Sequence, residues 1–434
     1  MDKMADVLGR AGAWCGQNKY LSAIKNAFQN FMPLTIAGAI GVLWCNVLVN
    51  DQTGLGLFFK PIMALDFLNP AFQAVNFCTI SCITVGITLG IAQEIGVWNM
   101  GAERAGYIPG LVGLAAWLSV TNTSHMVDGA KEAFTGIAGN ELGATGLFTG
   151  MIIGVLSVEL FCFFEKQDAL KIKMPEQVPP GVARAFEVLV PATITLIITA
   201  CIGSACYNLT GLYLNDVIKN GIQGPLGAVG ATIPGVMIIY LVIMLFWLVG
   251  IHGNNMLSAV KEALFTPLAL ENVEAFNKHQ TPKNIINMYA LQMWGEFGGS
   301  GVTIGLVIAI MIFGKREDNK AIATLSLVPG LFNINETVTF GIPMVLNPIL
   351  GIPFVVAPLI TIIIGYVLTV IGFCPVACLT VPWTCPPIVF GFLACGANVM
   401  GAVTQAILIV VSTVIYTPFL IAYEKYQNKQ AAEA

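Results

Sequence analysis

The run Pro329-Gly-Leu-Phe-Asn-Ile-Asn-Glu-Thr-Val-Thr-Phe-Gly-Ile-Pro-Met-Val-Leu-Asn-Pro348 sets one carboxylate, Glu336, in an otherwise apolar stretch. An acidic residue at mid-helix in a bilayer costs about 2.5–3.5 kcal/mol on insertion scales, so its presence asks for a purpose. Glu336 could act as base or acceptor toward a substrate hydroxyl. It could instead seal a broken helix by accepting free backbone N–H groups. Asn333, Asn335 and the prolines argue against a continuous helix, and the two asparagines are candidate substrate contacts. A second constellation is Gly250-Ile-His-Gly-Asn-Asn255. The chain has 3 histidines, and the other two, His125 and His279, sit in charged loops. The glycines around His252 open the backbone, while Asn254 and Asn255 offer the donors and acceptors that sugar hydroxyls require. The competing reading is a histidine hydrogen-bonded to a neighbouring helix at the membrane interface. The third constellation is Trp294-Gly-Glu-Phe-Gly-Gly-Ser-Gly301. Glu296 carries the same burial argument as Glu336, and its glycines permit close helix contact. Trp247, Trp294 and Trp383 can stack on a pyranose face or anchor at the interface.

The elements that must position these residues are membrane helices. Of 434 residues, 56% are hydrophobic and only 10% charged, with mean hydropathy +0.79. A soluble domain carries about 25% charged residues, so lipid must solvate much of this chain. It reads as an all-α polytopic membrane protein. At ~20 residues per span the length holds about ten spans plus loops. Uninterrupted apolar runs lie near 31–49, 71–93, 107–120, 143–164 and 186–207. Residues 208–227 read as an amphipathic helix on the membrane surface. A further span at 229–250 ends at the histidine motif, and 256–270, holding Lys261 and Glu262, reads as an apolar piece too short to cross. Residues 285–313, 321–348 and 380–398 are interrupted by Gly or Pro, whereas 351–373 and 403–423 are regular. Broken apolar segments are the best sequence pointer to a transport site. The chain therefore divides into a scaffold half, 1–225, that would also carry the dimer contact, and a transport half, 226–434.

Lys/Arg placement predicts orientation. The first 30 residues, with Lys3, Arg10, Lys19 and Lys25, lack a signal-peptide pattern and read as a retained interfacial helix. That segment, the loop from Glu165 to Arg184, and Lys425 and Lys429 all vote for cytoplasmic termini in a multi-pass cell-membrane protein. Lys315, Arg316 and Lys320 are left on either side. The net charge of -4 and the lack of a basic stripe give no reason to expect nucleic acid. The 11 cysteines form no CxxC pair. Cys45, Cys78, Cys82, Cys162, Cys201, Cys374, Cys378 and Cys395 lie in apolar runs and read as buried small hydrophobes. No metal or cofactor is expected, and no internal phosphocysteine carrier.

Taken in order, Gly-Ile-His-Gly-Asn-Asn at 250–255, Phe-Gly-Gly-Ser-Gly at 297–301 and Pro-Gly-Leu-Phe-Asn-Ile-Asn-Glu at 329–336 carry a family resemblance. With Phe-Gly-Ile-Pro at 340–343 and Asn-Pro at 347–348, the chain resembles the lactose/cellobiose/N,N'-diacetylchitobiose family of phosphotransferase-system (PTS) enzyme II C subunits. Many members have Pro after the motif Glu, where this chain has Thr337. The resemblance implies ten spans with two re-entrant hairpins and interfacial amphipathic helices, in a homodimer whose sugar sits in the C-terminal half. It also implies a cytoplasmic B subunit that brings a phosphocysteine, itself charged by the phosphohistidine of an A subunit. His252 and Glu336 would then meet the 6-hydroxyl of a disaccharide, the phosphate acceptor, so the donor residue lies on a separate subunit. The competing function is an ion-coupled sugar symporter that performs no chemistry. A membrane scaffold or channel would leave Glu336 and His252 without a purpose.

Overall fold

The structure, a computed structural model, describes residues 10, 14, 17–51, 55–125, 134–175, 177–225, 230–342 and 344–433. Lys3 and Pro343, and nearly half of the first 30 residues, lie outside the described residues; from Lys19 on, the expected interfacial segment is continuous with a helix that runs to Leu43. The chain is all-α. Among the described residues its β-structure is one two-residue ladder, Ser124–His125 against Phe134–Thr135. Backbone contacts gather the chain into two units, one of Gln17–Gly38 with Ala74–Gly227 and one of Met1–Gly16, Ala39–Gln73 and Ala228–Ala434.

The first of these holds most of α1 (Lys19–Leu43) together with α2 (Ile83–Met100), α3 (Ile108–Val120), α4 (Ala144–Glu165) and α5 (Pro180–Thr210). Helices in lipid gain little from hydrophobic burial against each other, so close packing through small residues must hold them together. A Cβ on Gly113 of α3 would fall 2.3 Å from the Ala92 Cβ of α2, and one on Gly150 of α4 would fall 2.2 Å from Thr88 Oγ1. At one end of this unit Arg104 and Arg184 converge on Glu165, each at 2.8 Å.

The second unit holds α6 (Ile233–Leu248), α7 (Gly253–Asn277), α8 (Met288–Gly295), α9 (Ile304–Phe313), α10 (Glu317–Leu331), α11 (Glu336–Gly341), α12 (Gly351–Val370), α13 (Val389–Ala394) and α14 (Val399–Glu433). Among the described residues, 5 helices are long and apolar enough to cross a membrane, or up to 7 if each of two bent pairs is one span. The helices α3 and α6 are shorter apolar ones.

Three sequence expectations are corrected here. The apolar piece at 256–270 belongs to a helix of 25 residues, α7. Lys261, Glu262, Glu271 and Glu274 dilute its hydropathy, but all are compatible with helix. The amphipathic helix expected over 208–227 is broken: α5 runs through Asn208 to Thr210 and stops at Gly211, whose φ of 71° ends it. Beyond it the helical run resumes at Leu214–Ile218, continues as π-helix at Lys219–Gln223 and as α-helix at 224–225, and 226–227 lie outside the described residues. Cys78 and Cys201 are exposed, unlike the buried Cys162, Cys374, Cys378 and Cys395. An apolar helix face can turn to lipid as readily as to a core, so an apolar setting does not decide burial.

The cluster Lys315-Arg316-Lys320 finds its end of the molecule through Glu424 of α14. Glu424 accepts the backbone N–H groups of Lys315 at 2.9 Å and Arg316 at 3.3 Å, and the Nδ2 of Asn319 at 3.2 Å. Arg316 also reaches Asn428 at 2.8 Å and pairs with Asp318 at 2.6 Å, holding that carboxyl below the usual carboxylate range. These cations therefore lie at the same end as Lys425 and Lys429.

Candidate functional site

The site is built around a break. Met288–Val302 and Ile304–Phe313 meet at a bend of 60°, because Gly298, Gly299 and Gly301 adopt φ of 69°, 87° and 77°. A side chain is excluded at Gly299, where a Cβ would fall 2.6 Å from Cβ of Asn335, and at Gly301, where it would fall 2.4 Å from the Phe354 ring. Val302 also sits at φ 49°, a strained conformation for a β-branched residue that only firm surroundings maintain.

Non-helical backbone at membrane depth must find partners inside the protein, and here side chains supply them. Gly298 N donates to Asn333 Oδ1 at 2.6 Å, and Gly298 O accepts from Thr303 Oγ1 at 2.7 Å. Ser300 O accepts from Asn335 Nδ2 at 2.8 Å, and Gly301 O from Tyr416 Oη at 2.8 Å. Asn333 itself, at φ 62°, donates its Nδ2 to the carbonyls of Trp383 and Cys385. The asparagines expected at a sugar thus direct their amides to the broken backbone. A second irregular stretch, between α12 and α13, is sealed alike: Asn272 and Asn287 donate to Ala377 O, while Gln405 Oε1 accepts from Ile388 N and Gly391 N.

This sealing leaves Glu336 available. It opens α11 and is 47% exposed, and among the described residues its carboxylate meets His252, with Nε2 to Oε1 at 3.8 Å. His252 caps the N-terminus of α7 by accepting the Asn255 N–H on Nδ1 at 3.2 Å. With Nδ1 an acceptor, the neutral ring carries its proton on Nε2, facing the carboxylate. The ring rests on Trp247, centroid to centroid 4.4 Å, and Trp247 meets Phe354 edge-on at 6.4 Å.

The remaining candidates divide. Trp247 and Trp294 are buried, and the Trp294 indole lies against Gly365 of α12. The Nε1 atoms of both make no hydrogen bond among the described residues. Trp383 is 44% exposed. Asn254 donates Nδ2 to Ser300 Oγ at 2.9 Å. Glu296 Oε1 accepts from Tyr240 Oη at 2.7 Å and pairs with Lys261. Lys261, Tyr240 and Ser300 were not among the sequence candidates for the site. The signal for Lys261 was present, since an ammonium in an apolar run needs a partner as much as a carboxylate does.

The chain has known relatives. The family model described as Phosphotransferase system, EIIC matches residues 25–358. The chain is 32% identical to the oligo-beta-mannoside-specific EIIC component of Bacillus subtilis (strain 168), over 98% of this chain and 94% of the relative. It is 30% identical to the cellobiose-specific EIIC component of Lactococcus lactis subsp. lactis (strain IL1403), over 98% of each. It is 31% identical to the lactose-specific EIICB component of Streptococcus mutans serotype c (strain ATCC 700610 / UA159), over 96% of this chain and 71% of the relative. Its structure is similar to the crystal structure of the transporter ChbC, the IIC component from the N,N'-diacetylchitobiose-specific phosphotransferase system. The TM-score there is 0.88, with 29% identity and 97% of each chain covered. A bundle of membrane helices broken around a carboxylate–histidine pair, matched in sequence and structure over nearly its whole length, belongs to the phosphotransferase-system EIIC family of sugar permeases.

Proposed function

We propose that the chain translocates a disaccharide of the cellobiose, lactose or diacetylchitobiose type and presents its 6-hydroxyl to a phosphocysteine on a cytoplasmic B subunit, charged in turn by an A subunit. The observation that carries this reading is the facing of His252 Nε2 and Glu336 Oε1 at 3.8 Å, both part-exposed. A hydroxyl oxygen at about 2.8 Å from each atom fits that separation. Glu336 takes the hydroxyl proton as the oxygen attacks phosphorus. The O–P bond forms as the S–P bond breaks, and the cysteine leaves as thiolate. His252 donates Nε2–H to the acceptor oxygen or to the charge that develops on the phosphoryl group. Positioning supplies much of the acceleration, because phosphoryl transfer asks little covalent chemistry of the protein.

The relatives' names support a partner of this kind, since the lactose-specific relative combines C and B components and this chain covers 71% of it. A homodimer built through residues 1–225, with residues 226–434 forming the transport half, belongs to the same proposal. The test is uptake of cellobiose, lactose and N,N'-diacetylchitobiose into vesicles, with and without phosphorylated B subunit. Sugar 6-phosphate inside, made only when the charged B subunit is present, is expected. Unmodified sugar accumulating under an ion gradient without it would favour the symporter instead.

A further inference from the structure

Ser300 joins the two site segments. Its hydroxyl accepts from Asn254 Nδ2 at 2.9 Å, and its carbonyl accepts from Asn335 Nδ2 at 2.8 Å. Asn254 stands two residues after His252, and Asn335 immediately precedes Glu336. The positive φ of Gly299 and Gly301 on either side keeps Ser300 in the turn. The separation of His252 from Glu336 is thus set across one residue.

Behind this link lies a buried charge pair that the proposed chemistry does not use. Lys261, two turns along α7 from Asn254, has a side chain 7% exposed and pairs with Glu296, which is 17% exposed. Its Nζ also donates to Asn254 Oδ1 at 3.4 Å and lies 5.6 Å from the Tyr240 ring centroid. Desolvating such a pair costs several kcal/mol per ion and is often matched or bettered by apolar residues of similar volume, so packing alone gives no reason for it. Direction does. An ammonium is donor only, so Lys261 fixes Oδ1 of Asn254 toward itself and leaves Nδ2 for Ser300.

We propose that Lys261, held by Glu296 and Tyr240, is a positioning residue of the phosphoryl-acceptor site: it orients Asn254 on Ser300 and so sets His252 against Glu336. This rests on the function proposed above. It gives Asn254 and Glu296 a role behind the sugar in place of direct contact with it. A displacement of about 1 Å between reacting groups can cost about 100-fold in rate, so the effect falls on kcat.

The test compares the wild type, Lys261→Arg, Lys261→Met and the double variant Lys261→Met/Glu296→Gln. Thermal midpoint, KM for the panel sugar that the wild type phosphorylates, and kcat with saturating phosphorylated B subunit are measured for each. The double variant removes the unpaired buried charge and is expected to recover the thermal midpoint. Its kcat should stay at least about tenfold down, with KM changed far less, as displaced reacting groups require. Lys261→Arg, which keeps a donor-only cation, should recover part of kcat. If Lys261→Met fails to fold, the double variant carries the comparison. Wild-type kcat in the double variant overturns the role of Lys261. A wild type that forms no sugar phosphate from any panel sugar overturns the proposed function instead.

Discussion

His252 turns its two ring nitrogens to different tasks: Nδ1 accepts the Asn255 N–H at 3.2 Å and starts α7, while Nε2 faces Glu336 Oε1 at 3.8 Å. The hydrogen bond that begins a helix also aims the ring's proton at the carboxylate. Stability and the proposed chemistry meet in one side chain, and substitutions can separate them.

Replacing His252 with Asn keeps an N-cap acceptor, whereas Ala removes it at a cost of about 0.5–2 kcal/mol. His252→Asn is therefore expected to retain the wild-type thermal midpoint and His252→Ala to lose about one or two degrees, while both lose most phosphorylation-coupled turnover. Unchanged sugar 6-phosphate formation in His252→Asn would leave the residue a cap alone.

Glu336→Gln keeps the size and hydrogen-bonding reach of the side chain but removes the proposed base. Turnover should fall about 100-fold or more, the range for a general base, while binding of the transported disaccharide persists within a few-fold. Calorimetric sugar binding alongside the phosphorylation rate separates the two, and near-wild-type turnover would remove Glu336 from the mechanism.

Gly299→Ala makes a different prediction. Its φ of 87° and the 2.6 Å approach to Asn335 leave no room for a methyl group. Left-handed backbone costs an L-residue about 1–2 kcal/mol before the clash is counted. Sugar binding and thermal midpoint should fall together, unlike in Glu336→Gln, and preserved binding would show that the turn does not shape the site.

Glu424→Ala leaves the Lys315 and Arg316 N–H groups without their acceptor. A hydrogen bond to a charged group contributes about 1.5–3 kcal/mol. Trypsin is expected to cut the variant at Lys315 or Arg316 faster than the wild type, with Glu424→Gln intermediate because it keeps an acceptor oxygen. Equal cutting rates would mean that the loop is held by something else.

The same contacts predict sidedness. Cysteines placed at Lys315 and at Lys429 should react with a membrane-impermeant maleimide from one and the same side, measured against the parent chain. Labelling from opposite sides is incompatible with the Glu424 anchor.

Legibility in the sequence followed the physics of each signal. Apolar runs and scarce charge suffice to place a chain in lipid. The cost of burying Glu336 and His252 singled them out before any fold was known, because a charge in lipid is expensive wherever the helices go. Glycine and proline likewise marked where the helices break. Lys261 carried the same signal, yet a residue's cost does not say what it faces. Asn333 and Asn335 were expected at a sugar because an amide's donors and acceptors suit hydroxyls and backbone equally.

The sequence by itself therefore determined the solvent, the helical class and the family, and it singled out Glu336 and His252 as ionisable groups that lipid makes costly. Only the tertiary structure decided which polar groups are spent on sealing and which stay available. It brought Asn333, Asn335, Thr303 and Tyr416 onto the broken backbone. It set Glu336 against His252, 84 residues earlier in the chain, and carried Lys315 to the end where Glu424 lies. Hydrogen bonds are short and directional, and in lipid every backbone group needs one. Which side chain supplies it depends on where the helices place the chain, and that is not written in local spacing.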